Sequence, residues 1–197
     1  MSGPTALNNF RFKGSRQYIH GSDLFNELTR FFSVTYPGFL EEIAFRAFAT
    51  HQCEIFLDST EGRDRNTVCQ GKWNTGNGRT IKFRVVETDT PVTDRYEYRE
   101  ALVTQSACIE TCEITGRFNP DFSAIENIIA FTKVLHNEHC PLDKGKWFFA
   151  QLNTIGPLPL RSQSITIRIK NNIKSRFTLS NILLDETPVG SIRFIST

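Results

Sequence analysis

The same succession of predicted elements occurs twice along the 197 residues, and this repeat is the feature that most constrains the fold. In each half a short strand leads into one amphipathic helix, and four strand signals follow. The halves follow each other at about 100 residues, without obvious residue identity. One helix covers only one face of a five-stranded antiparallel sheet, and sheet edges must be paired or protected. The sequence therefore predicts an α+β fold of two units whose sheets need each other.

The first half is predicted to contain one helix and several extended segments. Apolar residues recur at helical spacing after Ser22, a favourable N-cap residue, and predict a helix over residues 23–32. Alternating apolar residues predict extended segments at residues 42–58, 67–73, 80–88 and 96–110. These segments supply the first predicted sheet and the helix that covers it.

The second half repeats this pattern. A strand is predicted at residues 114–118, and the Asn-Pro-Asp sequence at 119–121 is typical of a helix start. An apolar stripe then predicts a helix over residues 121–138. The four strands that follow are predicted at residues 147–155, 164–171, 176–184 and 189–195. Because no linker rich in Ser, Pro or Gly separates the halves, we place the units at residues 1–107 and 108–197.

Composition excludes several classes of protein. With 39% hydrophobic and 22% charged residues, the chain is too apolar for a disordered protein and too polar for a membrane protein. The net charge of +2 does not suggest a strongly charged partner such as duplex DNA. The 17 phenylalanines indicate an aromatic core or an apolar tunnel. The sequence has neither a long apolar run nor a signal-peptide pattern, so we expect a cytoplasmic protein without a membrane span.

Five cysteines at irregular spacing argue against a disulfide framework. Five cysteine and histidine residues of the second half form a group with two open interpretations. They are Cys108, Cys112, His136, His139 and Cys140. They could form a zinc site, or they could be reduced thiols beside a polar helix end. The second interpretation is favoured, so we expect no metal.

The order of elements resembles the hot-dog fold, in which a long helix is wrapped by a five-stranded antiparallel sheet and two units pair edge to edge. The resemblance covers almost the whole chain and implies a double hot-dog, with two tandem units sharing one continuous antiparallel sheet. Residues 11–25, RFKGSRQYIHGSDLF, give a sharper local match. They are similar to the strand–loop–His–helix segment of the acyl-thioesterase branch of this superfamily.

The resemblance implies one site, in the first unit. His20 stands where the branch has its histidine, whereas Ser15, Arg16 and Gln17 stand where the branch has a loop carboxylate. Because the carboxylate that usually serves hydrolysis is missing, dehydratase-like acid/base chemistry is favoured slightly over hydrolysis. The segment that leads into the second helix, RFNPDF, contains no histidine. We therefore expect one site and one degenerate partner unit.

Three residues are the candidate catalytic groups. His20 immediately precedes a predicted helix N-terminus, where free N–H groups and the helix dipole favour negative charge on a carbonyl oxygen. Its imidazole suits general acid/base work near neutral pH. Asp23 could orient His20, although capping the helix is the favoured interpretation. Glu126 could face the site from the second helix, with a solvated helix face as the alternative.

The candidate substrate-binding residues are Gly21, Arg16, Tyr18, Phe25, Phe122, Arg168 and Lys170. Gly21 permits close backbone approach, and the two phenylalanines would line an apolar tunnel. The loop residues Arg16 and Tyr18 would approach a carbonyl or phosphate. Arg168 and Lys170 are expected to share one strand face, where they could bind the phosphates of coenzyme A or an acidic carrier protein. For both basic residues a solvated sheet face is the alternative.

The leading interpretation is a protein that binds, and acts on, an acyl thioester of coenzyme A or of an acyl carrier protein, in lipid or polyketide metabolism. Dehydration and hydrolysis both stay open. A non-catalytic hot-dog protein, which binds a ligand or a partner subunit, is the alternative, and a scaffold that uses the basic strands is a third. We expect no cofactor apart from coenzyme A or phosphopantetheine as part of the substrate, no nucleic acid, and a monomer or homodimer.

Overall fold

The structure is a computed structural model that describes residues 4–7, 9–58, 66–173 and 176–196. The chain divides into two compact units, Met1–Tyr98 and Arg99–Thr197. The sequence analysis placed the division after residue 107. Residues 99–107 belong to the second unit. Two contacts hold them there: Glu100 pairs with Lys133 at 2.7 Å, and the Ser106 hydroxyl accepts from the Arg117 backbone N–H at 2.8 Å.

The described residues of the first unit form one α-helix and seven strands. In chain order they are β1 (Thr5–Ala6), β2 (Phe12–Lys13), α1 (Gly21–Thr35), β3 (Phe39–Phe45), β4 (His51–Leu57), β5 (Thr67–Asn74), β6 (Thr80–Pro91) and β7 (Arg95–Tyr96). Five strands form an antiparallel sheet in the order β1-β4-β6-β5-β3. The other two, β2 and β7, form a short parallel pair.

Helix α1 packs its apolar face on this sheet. The ring of Phe32 stacks on Trp73 of β5, with centroids 4.9 Å apart, and lies 5.4 Å from the ring of Phe83 of β6. Phe32 and Leu28 are fully buried. The predicted helix over residues 23–32 is confirmed and extends further at both ends. Gly71 permits the close packing, because a Cβ there would lie 2.5 Å from the Phe83 ring.

Two extended segments predicted in this unit are wrong in detail. The stretch 42–58 is two strands, and β3 pairs with β5 while β4 pairs with β1 and β6. Just after β3, the N–H groups of Arg46 and Ala47 both donate to the Val68 carbonyl of β5, at 2.7 and 3.3 Å. The stretch 96–110 is not one strand either, since a 3₁₀ turn at Glu100–Leu102 interrupts it.

In the part of the second unit that the structure describes there are one α-helix and six strands. They are β8 (Cys108–Glu110), β9 (Glu113–Arg117), α2 (Ala124–His139), β10 (Trp147–Thr154), β11 (Ser164–Ile173), β12 (Phe177–Leu184) and β13 (Thr187–Ser196). The antiparallel sheet has the order β10-β13-β12-β11-β9-β8. The four predicted strands that follow the helix are confirmed within a few residues.

Helix α2 begins three residues later than the sequence predicts. Ser123 is its N-cap, and the fully buried Asn127 holds the preceding segment as a turn. The Asn127 amide accepts from the Asn119 N–H at 2.9 Å, and it donates to the carbonyls of Asn119 and Phe122 at 3.0 and 3.2 Å. The Pro-Asp pair at 120–121 therefore lies in a turn ahead of the helix.

The two units share their element order but not their strand order. In the second unit β11, β12 and β13 are consecutive neighbours, as in a meander. In the first unit β4 is followed along the chain by β5, yet β4 pairs with β6. The α+β class and the predicted succession of strand, helix and four strands are confirmed, and the units differ in how their strands are paired. Hydrophobic periodicity locates strands without specifying their neighbours.

Candidate active site

His20 is the N-cap of α1. Its backbone is extended, with φ −72° and ψ 142°, and its Nδ1 accepts from the N–H of Ser22 at 3.4 Å. The same Nδ1 lies 2.7 Å from the hydroxyl of Ser22. Ser22 is thus the second helical residue, and its prediction as the N-cap is wrong. The cap places the buried imidazole directly at the positive end of the helix.

Lys13 contributes a fully buried ammonium group beside this cap. Its Nζ donates to the Ser22 hydroxyl at 2.9 Å and to Oδ1 of Asp23 at 3.2 Å. It also lies 4.1 Å from the ring centroid of Tyr98, within the range of a cation–π contact. An ammonium group is costly to bury unless it is paired and hydrogen-bonded, and these contacts meet that requirement.

Asp23 is held by Lys13 and Tyr96. Oδ1 accepts from the Lys13 ammonium group at 3.2 Å and lies 3.1 Å from the Ser22 hydroxyl oxygen, and Oδ2 accepts from the Tyr96 hydroxyl at 2.8 Å. The carboxylate therefore anchors β2 and β7 to the first turn of α1. Because His20 is the N-cap, the favoured prediction that Asp23 caps the helix is wrong. Asp23 is linked to His20 through Ser22.

The loop between β2 and α1 is fixed by arginine contacts. Arg16 donates to the Lys13 carbonyl at 3.4 Å, and Arg95 donates to the Arg16 carbonyl at 2.8 Å and to the Gly14 carbonyl. Gly14 has a φ of +59°, a conformation that glycine adopts without strain. The guanidinium of Arg16 also lies 5.7 Å from the ring of Tyr98.

A third guanidinium, that of Arg11, lies 5.3 Å from the ring of Tyr96. Together these residues form what we call the arginine–tyrosine cluster, whose members are Arg11, Arg16, Arg95, Tyr96 and Tyr98. Arg11 and Arg95 are exposed, and the other three are half-buried. The cluster therefore presents positive charge to solvent next to the His20 cap.

The remaining predicted residues of the first unit lie around the same helix start. Gly21 is the first helical residue and Phe25 is buried on the second turn of α1. Tyr18 is half-buried, with its ring 4.6 Å from that of Phe48. The structure thus brings His20, Gly21 and Asp23 together at one helix terminus.

In the second unit, Glu126 is engaged by its own helix. Its Oε2 accepts from the backbone N–H and the hydroxyl of Ser123, both at 2.8 Å, which is a capping box. Phe122 lies half-buried just ahead of this cap. The polar group predicted to face the site from the second helix therefore stabilises the start of α2.

The two basic residues of β11 are exposed. The guanidinium of Arg168 pairs with Glu113 on the neighbouring strand β9. The register of β11 against β12 shifts between Ile169 and Asn171, so Lys170 lies at a β-bulge. The bulge interrupts the strict alternation from which a shared face was predicted.

Sequence reasoning missed Lys13, Tyr96 and Tyr98. Lys13 follows Phe12 in a short alternating segment, and nothing in that local pattern indicates that its side chain is buried. It is buried because β2 pairs with β7, which brings Lys13 opposite Tyr96. The sequence signal for this contact was the pair of tyrosines at 96 and 98, two residues apart. That spacing places both rings on one side of an extended segment but does not show that Lys13 packs against them.

The cysteine thiols are free in the described chain. Burial raises the pKa of Cys53 to about 12 and holds the pKa of Cys69 well above its usual value, while Cys108 and Cys112 are exposed. Among residues 4–7, 9–58, 66–173 and 176–196 no three His, Cys, Asp or Glu side chains are grouped so that they could hold a metal ion. Neither described helix has the length and apolar character needed to cross a membrane.

Comparisons with known proteins identify the fold. No protein-family model matches the chain, and no curated protein matches it in sequence. The dehydratase domain of PpsC from Mycobacterium tuberculosis, solved in complex with C12:1-CoA, is 9% identical, with 91% of this chain and 85% of that chain covered and a TM-score of 0.51. The dehydratase domain of a mycocerosic acid synthase-like polyketide synthase is 10% identical, with 98% and 88% covered and a TM-score of 0.50.

The tesB protein MAP1729c of Mycobacterium avium subs paratuberculosis is 11% identical, with 95% and 91% covered and a TM-score of 0.46, too low to add to the assignment. The two dehydratase-domain likenesses show the fold and nothing beyond it. The chain has the hot-dog fold, and its 197 residues fit two hot-dog units in one chain.

Proposed function

We propose that the protein binds an acyl thioester, carried by coenzyme A or an acyl carrier protein, and acts on it at the start of α1. The observation that carries this proposal is the His20 cap, whose imidazole is joined through Ser22 to a fully buried Lys13. A buried ion pair such as Lys13–Asp23 is weak evidence of a role in stability alone.

The helix terminus supports carbonyl chemistry. The N–H of Ser22 is capped by Nδ1 of His20 at 3.4 Å and the N–H of Asp23 donates to the His20 carbonyl at 2.9 Å, while the helix dipole adds positive potential at this terminus. Such a terminus favours the negative charge that develops on a thioester carbonyl oxygen, both in enolate formation and in attack by water. His20 is the ring placed beside this position.

Dehydration is favoured over hydrolysis by the use of the carboxylates. Asp23 is held by Lys13 and Tyr96, and Glu126 is held by its own capping box, so neither is poised to activate water. Dehydration of a 3-hydroxyacyl thioester breaks the Cα–H and Cβ–O bonds, forms a C=C bond and releases water. Polarisation of the carbonyl assists the first of these changes.

The arginine–tyrosine cluster supports an anionic carrier. Arg11 and Arg95 present exposed guanidinium groups on the segments that hold the His20 loop, and guanidinium groups suit phosphate recognition. The basic pair predicted on β11 is a weaker candidate, because Arg168 is paired with Glu113. We therefore assign the phosphates of coenzyme A or phosphopantetheine to the first-unit cluster.

A binding and turnover experiment tests the proposal. Mass spectrometry of the purified protein is expected to find a bound coenzyme A or acyl species. A thioester at about 100 times its Kd is expected to add about 2.7 kcal/mol to the free energy of unfolding, read as a rise in Tm. 3-Hydroxybutyryl-CoA would then be converted to the enoyl thioester, followed by ultraviolet absorption. If coenzyme A, pantetheine and carrier-protein thioesters of short, long and aromatic acids all leave Tm unchanged, the proposal is wrong.

A non-catalytic ligand-binding protein is the second candidate. The observation that favours it is that Asp23 and Glu126 serve structural contacts. A rise in Tm with thioesters, with neither enoyl product nor free thiol released, would select this candidate over an enzyme.

A further inference from the structure

The position of the ring proton on His20 follows from the donors around it. The ammonium group of Lys13 can only donate, so the Ser22 hydroxyl oxygen accepts from it at 2.9 Å. The hydroxyl hydrogen of Ser22 must then go to another acceptor. Two lie within reach, Nδ1 of His20 at 2.7 Å and Oδ1 of Asp23 at 3.1 Å.

These acceptors define two arrangements. If Ser22 donates to Asp23, Nδ1 of His20 must carry a hydrogen and donate to Ser22. That hydrogen would face the backbone N–H of Ser22, which points at the same Nδ1 from 3.4 Å. Two donors would then oppose each other at a buried helix terminus, and this N–H would lose its cap.

If Ser22 instead donates to His20, each of these groups is satisfied. Nδ1 accepts from the hydroxyl and the backbone N–H of Ser22, while Lys13 donates to Ser22 and Asp23. Asp23 keeps its donors Lys13 and Tyr96. The shorter distance to Nδ1 agrees with this arrangement, and a neutral imidazole that accepts at Nδ1 carries its hydrogen on Nε2.

We propose that Lys13, acting through Ser22, holds neutral His20 with its hydrogen on Nε2, so that His20 serves the thioester as a hydrogen-bond donor to the carbonyl oxygen. The identity of the substrate in this inference rests on the function proposed above, whereas the tautomer of His20 does not depend on it. Lys13 and Ser22 are positioning residues in this account. His20 then stabilises negative charge on the carbonyl oxygen.

Nitrogen-15 NMR of the histidine rings tests the tautomer without any substrate. The chain has four histidines, and the His20 signals are those missing from the spectrum of a His20→Gln variant. Near neutral pH we expect Nε2 to carry the hydrogen and Nδ1 to have the shift of an acceptor nitrogen. A hydrogen on Nδ1, or a fully protonated ring at pH 7, would overturn the proposal whatever the protein binds.

Ser22 variants test the route from Lys13. Ser22→Ala removes the hydroxyl and is expected to give a mixture of tautomers, whereas Ser22→Thr keeps a hydroxyl and is expected to retain the Nε2–H form. Lys13→Met frees Ser22 from its ammonium donor and is expected to shift the populations in the same direction as Ser22→Ala. Melting curves confirm which variants are folded. Unchanged tautomer populations in folded Ser22→Ala would show that this residue does not position His20.

Activity separates a donor from a base. Loss of one oxyanion donor typically lowers kcat by about 10²–10³-fold, so His20→Ala is expected to fall in that range. Glutamine has an amide donor near the position of Nε2, and His20→Gln is expected to recover at least about tenfold over His20→Ala. Equal loss in both variants would make His20 a base and overturn the donor role. If no thioester binds at all, the function above fails while the tautomer result stands by itself.

Discussion

Replacing Lys13 with methionine removes a positive charge from a fully buried position and leaves its partner behind. Breaking a buried ion pair on one side costs about 3–5 kcal/mol. The Asp23 side chain is 17% exposed and keeps the Tyr96 donor, so we expect the lower end, about 3 kcal/mol. For a chain of this length that corresponds to a fall in Tm of roughly 6–12 °C.

Denaturation of the variant and of a matched surface control measures this difference. Lys72 pairs with Glu42 at 2.6 Å, but its side chain is 43% exposed, so Lys72→Met is expected to cost less than about 1 kcal/mol. Fluorescence of Trp73, in a background with Trp147→Phe in both proteins, follows the first unit. If Lys13→Met costs no more than Lys72→Met, the buried contact that organises the site does not exist in solution.

A double variant separates loss of the pair from loss of a charge. Replacing both Lys13 and Asp23 with apolar residues of similar size removes the uncompensated carboxylate. Apolar replacement of a whole buried ion pair is often neutral or stabilising. We therefore expect Lys13→Met with Asp23→Leu to recover part of the loss, as a coupling in a double-mutant cycle. Strict additivity of the two single changes would contradict direct contact between these side chains.

Three further predictions concern the second unit. Burial lowers the pKa of His136 to about 4 from 6.5, so that on acidification the unfolded chain takes up a proton at this histidine before the folded protein does. The free energy of unfolding should therefore fall by about 3 kcal/mol as pH drops from 6.5 to 4. Urea midpoints across this range should fall more steeply for the natural protein than for His136→Gln, and parallel curves would contradict the burial. A Cβ at Gly116 would lie 2.7 Å from the Phe131 ring, so Gly116→Ala is expected to lower the free energy of unfolding by about 1–3 kcal/mol in urea denaturation. Gly156→Ala, with open space around its Cβ, is the control and should be near neutral. Equal effects of the two substitutions would contradict the close approach at Gly116. Glu126→Gln should keep both Tm and turnover, because glutamine also completes a capping box, and a fall in kcat of about 10²-fold would restore Glu126 as an acid/base group.

The sequence predicts the helices and most strands because their signals are local. The apolar stripe that includes Phe25 and Phe32 requires one buried helix face, and alternation in the second half locates four strands whatever their order. The strand order of the first unit depends on whether β5 pairs with β4, which precedes it in the chain, or with β3 and β6, as it does in the structure. That choice is made by long-range pairing, as in Cys69 opposite Val85, and leaves no local signal.

The site was predicted in part for the same reason. His20 and Gly21 lie at a helix start that the local pattern marks. The roles of Ser22 and Asp23 were misassigned because their partner Lys13 lies ten residues from Asp23, and Tyr96 reaches it across 73 residues. A charged residue in a short strand is ordinarily assigned to solvent, and its burial follows only once its partners are known.

The most direct test of the account is a titration of the protein with butyryl-CoA while the His20 ring nitrogens are observed by NMR. We predict that the Nε2–H signal of His20 shifts saturably as the thioester binds, with the hydrogen remaining on Nε2, and that Arg11→Ala, at the arginine–tyrosine cluster, weakens the apparent affinity. A thioester that binds to saturation without moving the His20 signals, or no binding of any coenzyme A or pantetheine thioester, would contradict the assignment of this helix start as the site.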